Sequence, residues 1–286
     1  MASQTATLLL SFPTRIQTIP GGVRKDIREV WNRDIVVIRE DRIVVSDFSN
    51  GLKLFDSQGS PLSKIPSVPL VSAVTSLSPT LIASTINFDS DPSTVIATVD
   101  LDIGEMKVLK TISTTIHFRG IAGIDERTWA ASTAWWNGGG GIYVMNDDGE
   151  VERSYNYPAE SKCMLECSSH MAVSPTGDFI ASDGNAGTVV KVDPKADGNP
   201  VKFVYDGKKN QTLELPLGVA CDAQCRIYVA DQGLHRVLVL SPDGTYIQTI
   251  VDFNQLREPT GVCVFEDKLY VVEKVGSVKV FQLAEQ

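Results

Sequence analysis

The chain has 286 residues, of which 43% are hydrophobic and 21% charged, so it can bury a large core and is not a disordered composition. Acidic residues outnumber basic ones by 35 to 26, and the resulting net charge of −9 disfavours general binding to phosphate backbones. Only three histidines are present (His117, His170 and His235), which excludes a histidine-rich metal site.

The beginning of the chain predicts neither a secretory leader nor a membrane anchor. The apolar run at residues 8–12 is shorter than the core of a signal peptide and has no basic flank. No segment approaches the roughly 18 apolar residues that a membrane span needs. We therefore expect a cytoplasmic protein that has no membrane partner.

Six short motifs recur along the chain, each formed by the end of an apolar strand, a small residue and a polar residue. The polar residues are Asp47, Thr85, Thr133, Asp183, Asp231 and Glu273. They lie 38 to 50 residues apart, and the segments between them carry β signals without sustained helical periodicity. The sequence therefore predicts an all-β fold, a six-bladed β-propeller of four-stranded antiparallel blades, as a single domain over residues 1–286.

The fifth repeat shows its four strands most clearly, with a Ser-Pro-Asp-Gly turn at residues 241–244 between the last two. The predicted strands are residues 218–221, 226–230, 237–240 and 246–250. The sixth repeat supplies only three strands. We predict that residues 7–12 provide the fourth and close the ring, which removes an open sheet edge. Residues 15–19 are a rival, because they echo residues 246–250.

The fifth repeat also resembles the NHL repeat. It reads Pro216-Leu217-Gly218-Val219-Ala220-Cys221-Asp222, then Ile227-Tyr228-Val229-Ala230-Asp231, then His235-Arg236-Val237 and the Pro242-Asp243-Gly244 turn. The similarity is weaker in the fourth and sixth repeats and faint in the first three. It implies a propeller like the C-terminal domain of tripartite-motif (TRIM-NHL) ubiquitin ligases. The chain carries no RING, B-box or coiled-coil pattern, so the resemblance implies the recognition end of such a ligase or a stand-alone relative.

The acidic residues that end the second strands have a structural interpretation. In NHL-type repeats the aspartate at this position caps the loop between blades, and a carboxylate can satisfy several backbone donors. We therefore interpret Asp47, Asp183, Asp231 and Glu273 as loop caps rather than catalytic groups.

The turns after the second strands and the connections between blades are expected to share one face of the propeller. The third turn combines Trp135, Trp136 and Asn137 with four glycines, and tryptophan is a common anchor of protein interfaces. Our leading hypothesis is a non-enzymatic, monomeric module that binds a protein or peptide there and needs no cofactor. The predicted binding residues are Trp135, Trp136, Asn137, Arg119, His235, Arg236 and Lys274.

Two alternatives use the same face. Six-bladed propellers also include calcium-dependent lactonases and esterases, and here the calcium ligands would be Asn87, Asp183, Asp231 and Glu273. Against this, residues 28–31 lack the Gly-Pro of the gluconolactonase-like motif, and no Gly-x-Ser-x-Gly elbow is present. RNA binding ranks third, because the sequence supplies no basic stripe.

Two cysteine pairs allow further interpretations. Cys163 and Cys167, with His170 nearby, could form half of a zinc site or a redox pair. Cys221 and Cys225 flank a turn and could be bridged. We interpret both pairs as reduced, unrelated thiols, because structural zinc sites use four ligands at tighter spacing and disulfides are rare in reducing compartments.

Overall fold

The computed structural model describes residues 4–17, 25–26, 28–39, 42–66, 68, 70–86, 92–134, 140–155, 164–208 and 211–285. These residues form 24 strands in six four-stranded antiparallel sheets, and they include no helix. The prediction of an all-β, six-bladed propeller is confirmed. Within the described ranges, no helix is long and apolar enough to span a membrane.

Each blade is a meander of four strands, and the sixth takes its outermost strand from the beginning of the chain. Blades one to three contain β2 (Asn32–Arg39), β3 (Arg42–Asp47), β4 (Gly51–Phe55), β5 (Pro61–Ile65); β6 (Val71–Ser78), β7 (Leu81–Ile86), β8 (Ser93–Asp100), β9 (Glu105–Ser113); and β10 (Phe118–Gly123), β11 (Thr128–Thr133), β12 (Ile142–Asn146), β13 (Val151–Tyr155). Blades four to six contain β14 (Ser168–Val173), β15 (Phe179–Asp183), β16 (Thr188–Val192), β17 (Val201–Tyr205); β18 (Pro216–Cys221), β19 (Ile227–Asp231), β20 (Arg236–Leu240), β21 (Tyr246–Val251); and β22 (Pro259–Phe265), β23 (Lys268–Glu273), β24 (Ser277–Glu285), β1 (Gln4–Pro13).

The hydrophobic core lies between the blades. In the described ranges, six apolar clusters each join two neighbouring blades, as where Val36 and Leu54 of blade one meet Val74 and Ile82 of blade two. The middle strands are covered on both faces, so they read as nearly continuous Val, Ile and Leu runs. The inner strands β2, β6, β10, β14, β18 and β22 contact one another in a ring around a central channel.

Two glycines allow the inner strands of blades five, six and one to approach closely. A Cβ on Gly218 would lie 2.6 Å from the Cα of Gly261, and one on Gly261 would lie 2.8 Å from the Cα of Asp34. Packing therefore explains the glycine of the Pro-x-Gly part of the repeat, because a side chain at either position would push two blades apart.

The small hydroxyl residues at the ends of the second strands connect neighbouring blades. Ser46 of blade one donates a hydrogen bond to the Ser72 carbonyl of blade two (3.2 Å), and Ser182 of blade four donates to the Leu217 carbonyl of blade five. The repeat that revealed the propeller therefore also supplies polar contacts between its blades.

The ring is closed by β1, which pairs antiparallel with β24 from Gln4 opposite Glu285 to Pro13 opposite Ser277. The register shifts once, between Leu8 and Leu10. The prediction that residues 7–12 close the ring is confirmed. In the rival segment, residues 15–17 are not in a strand, and residues 18–19 lie outside the described residues.

Candidate functional site

The turns after the second strands and the connections before the inner strands meet on one side of the ring, which we call the channel face. In blade one, Asp47 Oδ1 accepts hydrogen bonds from the backbone amides of Trp31 (3.1 Å) and Ser49 (3.0 Å). In blade five, Asp231 Oδ1 accepts from Glu214 (3.2 Å) and Leu215 (3.1 Å). Each carboxylate therefore ties its own turn to the connection that enters the same blade.

The same arrangement recurs in blades four and six. Asp183 accepts hydrogen bonds from the backbone amides of Glu166 and Cys167, and Glu273 Oε1 accepts one from Arg257 (2.7 Å). The interpretation of these four acidic residues as loop caps is confirmed by their contacts.

The proposed calcium ligands that the structure describes do not form a common site. Asp183, Asp231 and Glu273 cap three different blades, and Asn87 lies outside the described residues. Across the described ranges, no group of three or more His, Cys, Asp or Glu side chains could hold a metal ion. The described carboxylates therefore do not fit the proposed calcium centre.

Blade one contains a buried set of paired charges, the blade-one ion cluster. Lys53 Nζ lies 2.6 Å from both Asp26 Oδ2 and Asp47 Oδ2, and Lys64 Nζ lies 2.6 Å from Asp26 Oδ1. Burial acts to raise the pKa of Asp26, but its hydrogen bonds to the two lysines hold that pKa below the ordinary value. The cluster fixes the connection that carries Asp26 against blade one.

A second set of titratable residues, the channel-mouth cluster, consists of Arg33, Asp34, Arg119 and His170. His170 of blade four reaches across the channel, and its Nε2 donates a hydrogen bond to the Arg33 carbonyl of blade one (3.1 Å). The same nitrogen lies 3.9 Å from Asp34 Oδ1. This contact joins opposite blades across the upper part of the channel, which we call the channel mouth.

The groups at this contact have strongly shifted proton affinities. Burial raises the pKa of Asp34 to about 7, although the carboxylate accepts hydrogen bonds from the Val74 and Ile35 amides. Burial, followed by the positive charge of Arg33, lowers the pKa of His170 to about 3. The imidazole is therefore neutral at pH 7, and the proton on Nε2 leaves Nδ1 as an acceptor, which is buried without a partner among the described residues.

Arg33 lies at the upper mouth beside an aromatic pair. The rings of Trp31 and Phe48 are 5.2 Å apart, and the Arg33 guanidinium carbon lies 6.0 Å from the centre of each. Burial and then the charge of Arg119 lower the pKa of Arg33. Arg119 Nη1 donates to Cys167 Sγ (2.9 Å), which holds the second guanidinium near the mouth.

Below the His170 contact, the channel opens into a cavity of about 220 Å³. It is lined by the middle and lower parts of all six inner strands, whose residues there are mostly apolar in type, with Asp34, Thr75, Ser76, Cys221 and Cys263 as polar exceptions. Burial raises the pKa of both Cys221 and Cys263 to about 12, so these thiols are protonated and unreactive.

Four exposed apolar side chains lie on the channel face of blades five, six and one, and we call this surface the apolar arc. They are Trp31 (41% exposed), Leu234 (38%), Phe253 (57%) and Val275 (68%). Hydrogen bonds connect the turns that carry them: Glu258 N donates to His235 Nδ1 (3.0 Å), Lys274 N to the Glu258 carbonyl (3.0 Å), and Asn32 N to the Lys274 carbonyl (2.9 Å).

The predicted binding residues fall into three groups. His235, Arg236 and Lys274 lie in the turns that carry the apolar arc, whereas Arg119 lies at the channel mouth. Arg236 is engaged in its own loop, with Nε 3.2 Å from Asp231 Oδ2 and Nη1 2.6 Å from Gln211 Oε1. The remaining three, Trp135, Trp136 and Asn137, lie outside the described residues.

Sequence reasoning missed Trp31, Phe48, Arg33 and Asp34 as site residues, and considered His170 only as a partner of cysteines. The available signal was the segment Trp31-Asn32-Arg33-Asp34, which places two charged residues directly before the apolar run of an inner strand. A charged pair entering a buried strand indicates a special environment, because such residues are rarely buried without a reason.

The cysteines separate into different environments. Cys221 and Cys225 are free, as is Cys167, which contacts Arg119. Cys163 lies outside the described residues, so its predicted relation to Cys167 stays a prediction.

Comparisons with known proteins show the fold but not a family. No family model matches the chain, so the NHL resemblance is not confirmed. The vitellogenin receptor Yl of Drosophila melanogaster is 42% identical over 62 residues, which are 21% of this chain; the chain covers only 3% of that receptor's length.

The similar solved structures include enzymes. Virginiamycin B lyase from Staphylococcus aureus has a TM-score of 0.62 at 9% identity, over 96% of this chain and 99% of that chain. The PQQ-bound aldose sugar dehydrogenase from Streptomyces coelicolor has a TM-score of 0.66 at 14% identity, over 99% of both chains. A putative gluconolactonase has a TM-score of 0.62 at 14% identity, over 99% of this chain and 100% of that chain. At such identities the likeness shows the six-bladed propeller fold alone.

Proposed function

We propose that this propeller is a recognition module that binds a protein or peptide on its channel face, over the apolar arc. The observation that carries the proposal is Trp31, which is 41% exposed, packs on Phe48 and has the Arg33 guanidinium beside it. Tryptophan and arginine are the residue types most enriched among energetically dominant interface residues.

The surroundings of Trp31 support a binding surface rather than an isolated exposed side chain. Leu234, Phe253 and Val275 are exposed apolar side chains on the same face of two further blades, and Lys274 forms a 3.3 Å ion pair with Glu258 beside them. An apolar centre with a polar rim is typical of protein interfaces. The turns of the arc are joined by hydrogen bonds, so little order need be gained on binding.

Peptide selection with a matched pair of variants tests the proposal. Peptides selected from a random library on the wild-type protein would be measured by fluorescence polarisation against Trp31→Ala and Leu109→Ala. Leu109 is an exposed apolar residue of β9, away from the arc. We expect Trp31→Ala to raise the Kd at least about tenfold, since interface anchors contribute about 2 kcal/mol or more, and Leu109→Ala to leave it unchanged.

Equal binding to wild type and Trp31→Ala would contradict the proposal, as would a library that yields no binder. The same peptides measured against a Trp135→Ala, Trp136→Ala double variant test the two predicted anchors of blade three. The narrower possibility, a substrate-recognition end of a TRIM-NHL ubiquitin ligase acting as a cytoplasmic monomer, is supported only by the blade-five motif.

The enzymatic alternative is a propeller hydrolase of the lactonase or esterase kind. It is favoured by the fold shared with a putative gluconolactonase. Turnover of a lactone and ester panel by the purified protein, with and without added calcium, would support it. RNA binding, the third possibility, would weaken steeply as the salt concentration rises.

A further inference from the structure

The upper channel mouth contains a cationic side chain whose hydrogen-bonding groups are not used by the protein. Within the described ranges, the Arg33 side chain has no hydrogen bond and no ion pair, and its Nε is buried without a partner. The adjacent carboxylate does not serve it, because Asp34 accepts hydrogen bonds from the Val74 and Ile35 amides. A buried donor without an acceptor costs free energy, so an acceptor supplied from outside would be bound favourably.

A second guanidinium belongs to the same level of the channel. Arg119 is the second residue of inner strand β10, as Arg33 is of inner strand β2, and the charges of both lower the pKa of His170. Arg119 is held in place by its hydrogen bond to Cys167 Sγ. Two like charges on one small opening repel each other, and an anion placed between them would remove that repulsion.

The floor and wall of the mouth limit what can enter. The His170–Arg33 contact crosses the channel below the mouth and forms part of its floor. The Trp31–Phe48 pair forms an apolar wall next to Arg33. The opening therefore combines two guanidinium groups with an aromatic surface, which suits a carboxylate carried on an apolar or aromatic stem.

We propose that the channel mouth is a carboxylate-binding pocket, in which Arg33 and Arg119 hold a carboxylate of the bound peptide and Trp31 and Phe48 cover its apolar stem. This inference rests on the proposed function, since it names the group of the partner that the channel face recognises. Arg33 is the central residue, because its donors are unused, whereas Arg119 already has partners in the protein.

Small probes test the pocket independently of any peptide. The probes are 3-phenylpropionate, its uncharged amide 3-phenylpropionamide, and inorganic phosphate, titrated into protein labelled with ¹⁵N-arginine. The Nε–H resonances of Arg33 and Arg119 report binding, and that of Arg127 is the internal control, because Arg127 forms an exposed ion pair with Asp147 in a turn remote from the mouth. We expect 3-phenylpropionate to shift the two channel resonances and to bind at least about tenfold more tightly than the amide.

Three outcomes would overturn the proposal. Equal binding of the acid and the amide would show that charge is not recognised. Phosphate binding as tight as that of 3-phenylpropionate would assign a general oxyanion site, of the kind that an RNA backbone could use. Shifts that spread to Arg127 would show nonspecific binding.

Variants locate the site. Arg33→Gln is expected to abolish the preference for the acid, and Arg127→Gln to leave it unchanged; retained preference in Arg33→Gln would exclude the assigned residue. If Arg33→Gln fails to fold, the comparison of acid and amide on the wild-type protein still decides. If the protein prefers the carboxylate probe but no peptide is selected, the proposed function is contradicted and the pocket is supported. If peptides bind through Trp31 but the acid is not preferred over the amide, the pocket is contradicted and the proposed function is supported.

Discussion

The blade-one ion cluster and the channel-mouth cluster both include residues of blade one, yet they differ in how their buried charges are paired. In the first, Lys53 and Lys64 are paired with Asp26 and Asp47 at 2.6 Å. In the second, the Arg33 side chain lacks a hydrogen-bonded partner among the described residues, and two guanidinium charges act on a neutral His170. The paired cluster fixes the connection that carries Asp26. In the channel-mouth cluster, the unpaired Arg33 side chain retains a free-energy cost of burial that a bound ligand would relieve.

Breaking the paired cluster should have the largest effect. Lys53→Ala would leave Asp26 and Asp47 buried without their shared cation, and we expect the free energy of unfolding to fall by about 3–5 kcal/mol. Urea denaturation at pH 7 measures the loss. Lys107→Ala is the control, since its 3.0 Å pair with Glu105 is exposed and contributes about 0–1 kcal/mol. Similar losses in both variants would contradict the distinction between the two kinds of pair.

Measuring the free energy of unfolding over a pH series should reveal the shifted pKa values of Asp34 and His170. The folded state holds a proton on Asp34 up to about pH 7, whereas the unfolded chain releases it near its ordinary pKa of 3.8. Asp34 therefore makes the free energy of unfolding fall as the pH rises from about 4 to 7, by up to about 1.4 kcal/mol per pH unit. His170 acts in the opposite direction: with its pKa lowered from 6.5 to about 3, it removes stability as the pH falls through that range.

Asp34→Asn separates the two contributions to the pH dependence, because it removes that of Asp34 and leaves that of His170. Relative to wild type, the variant should become progressively more stable as the pH rises from about 4 to about 7, as measured by urea denaturation at each pH. The groups that face Asp34, Arg33 and His170, are unchanged in this comparison. A difference between variant and wild type that is constant over the series would rule out the raised pKa.

Removing the unpaired guanidinium should have the smallest effect on stability. Arg33→Gln deletes a buried cation without an ion pair, so we expect the free energy of unfolding to change by less than about 1 kcal/mol. The matched variant is Arg226→Gln, in which the Nε lies 2.5 Å from Asp222 Oδ2, and we expect a loss of about 2–3 kcal/mol there. Thermal unfolding of the two proteins compares them; a larger loss from Arg33→Gln would mean that Arg33 serves the fold.

The architecture could be predicted from the sequence because its signals are local. Apolar strands and a strand-end polar residue repeat in each blade, and this residue is a carboxylate in four of the six. The structure confirms the strands, their closure by the N-terminal segment and the capping contacts. The strands of blade five differ from the predicted bounds by only one or two residues.

The channel mouth could not be predicted in the same way. The hydrogen bond between His170 and the Arg33 carbonyl joins residues 137 positions apart, and it exists only because the ring places blades one and four opposite each other. Nothing in the neighbourhood of either residue in the sequence indicates the other. The exposure of Trp31 likewise depends on how the entry to blade one packs, since Trp129 of the same type is fully buried.

The pairing of β1 with β24 has a practical consequence for how the protein can be displayed. The strands run antiparallel, so Gln4 and Glu285 lie side by side, at the end of blade six opposite the turn at Gly276. That turn belongs to the channel face. A tag, linker or partner domain joined near either residue would therefore leave from the far side of the ring, and immobilisation through either terminus presents the apolar arc and the channel mouth to solution.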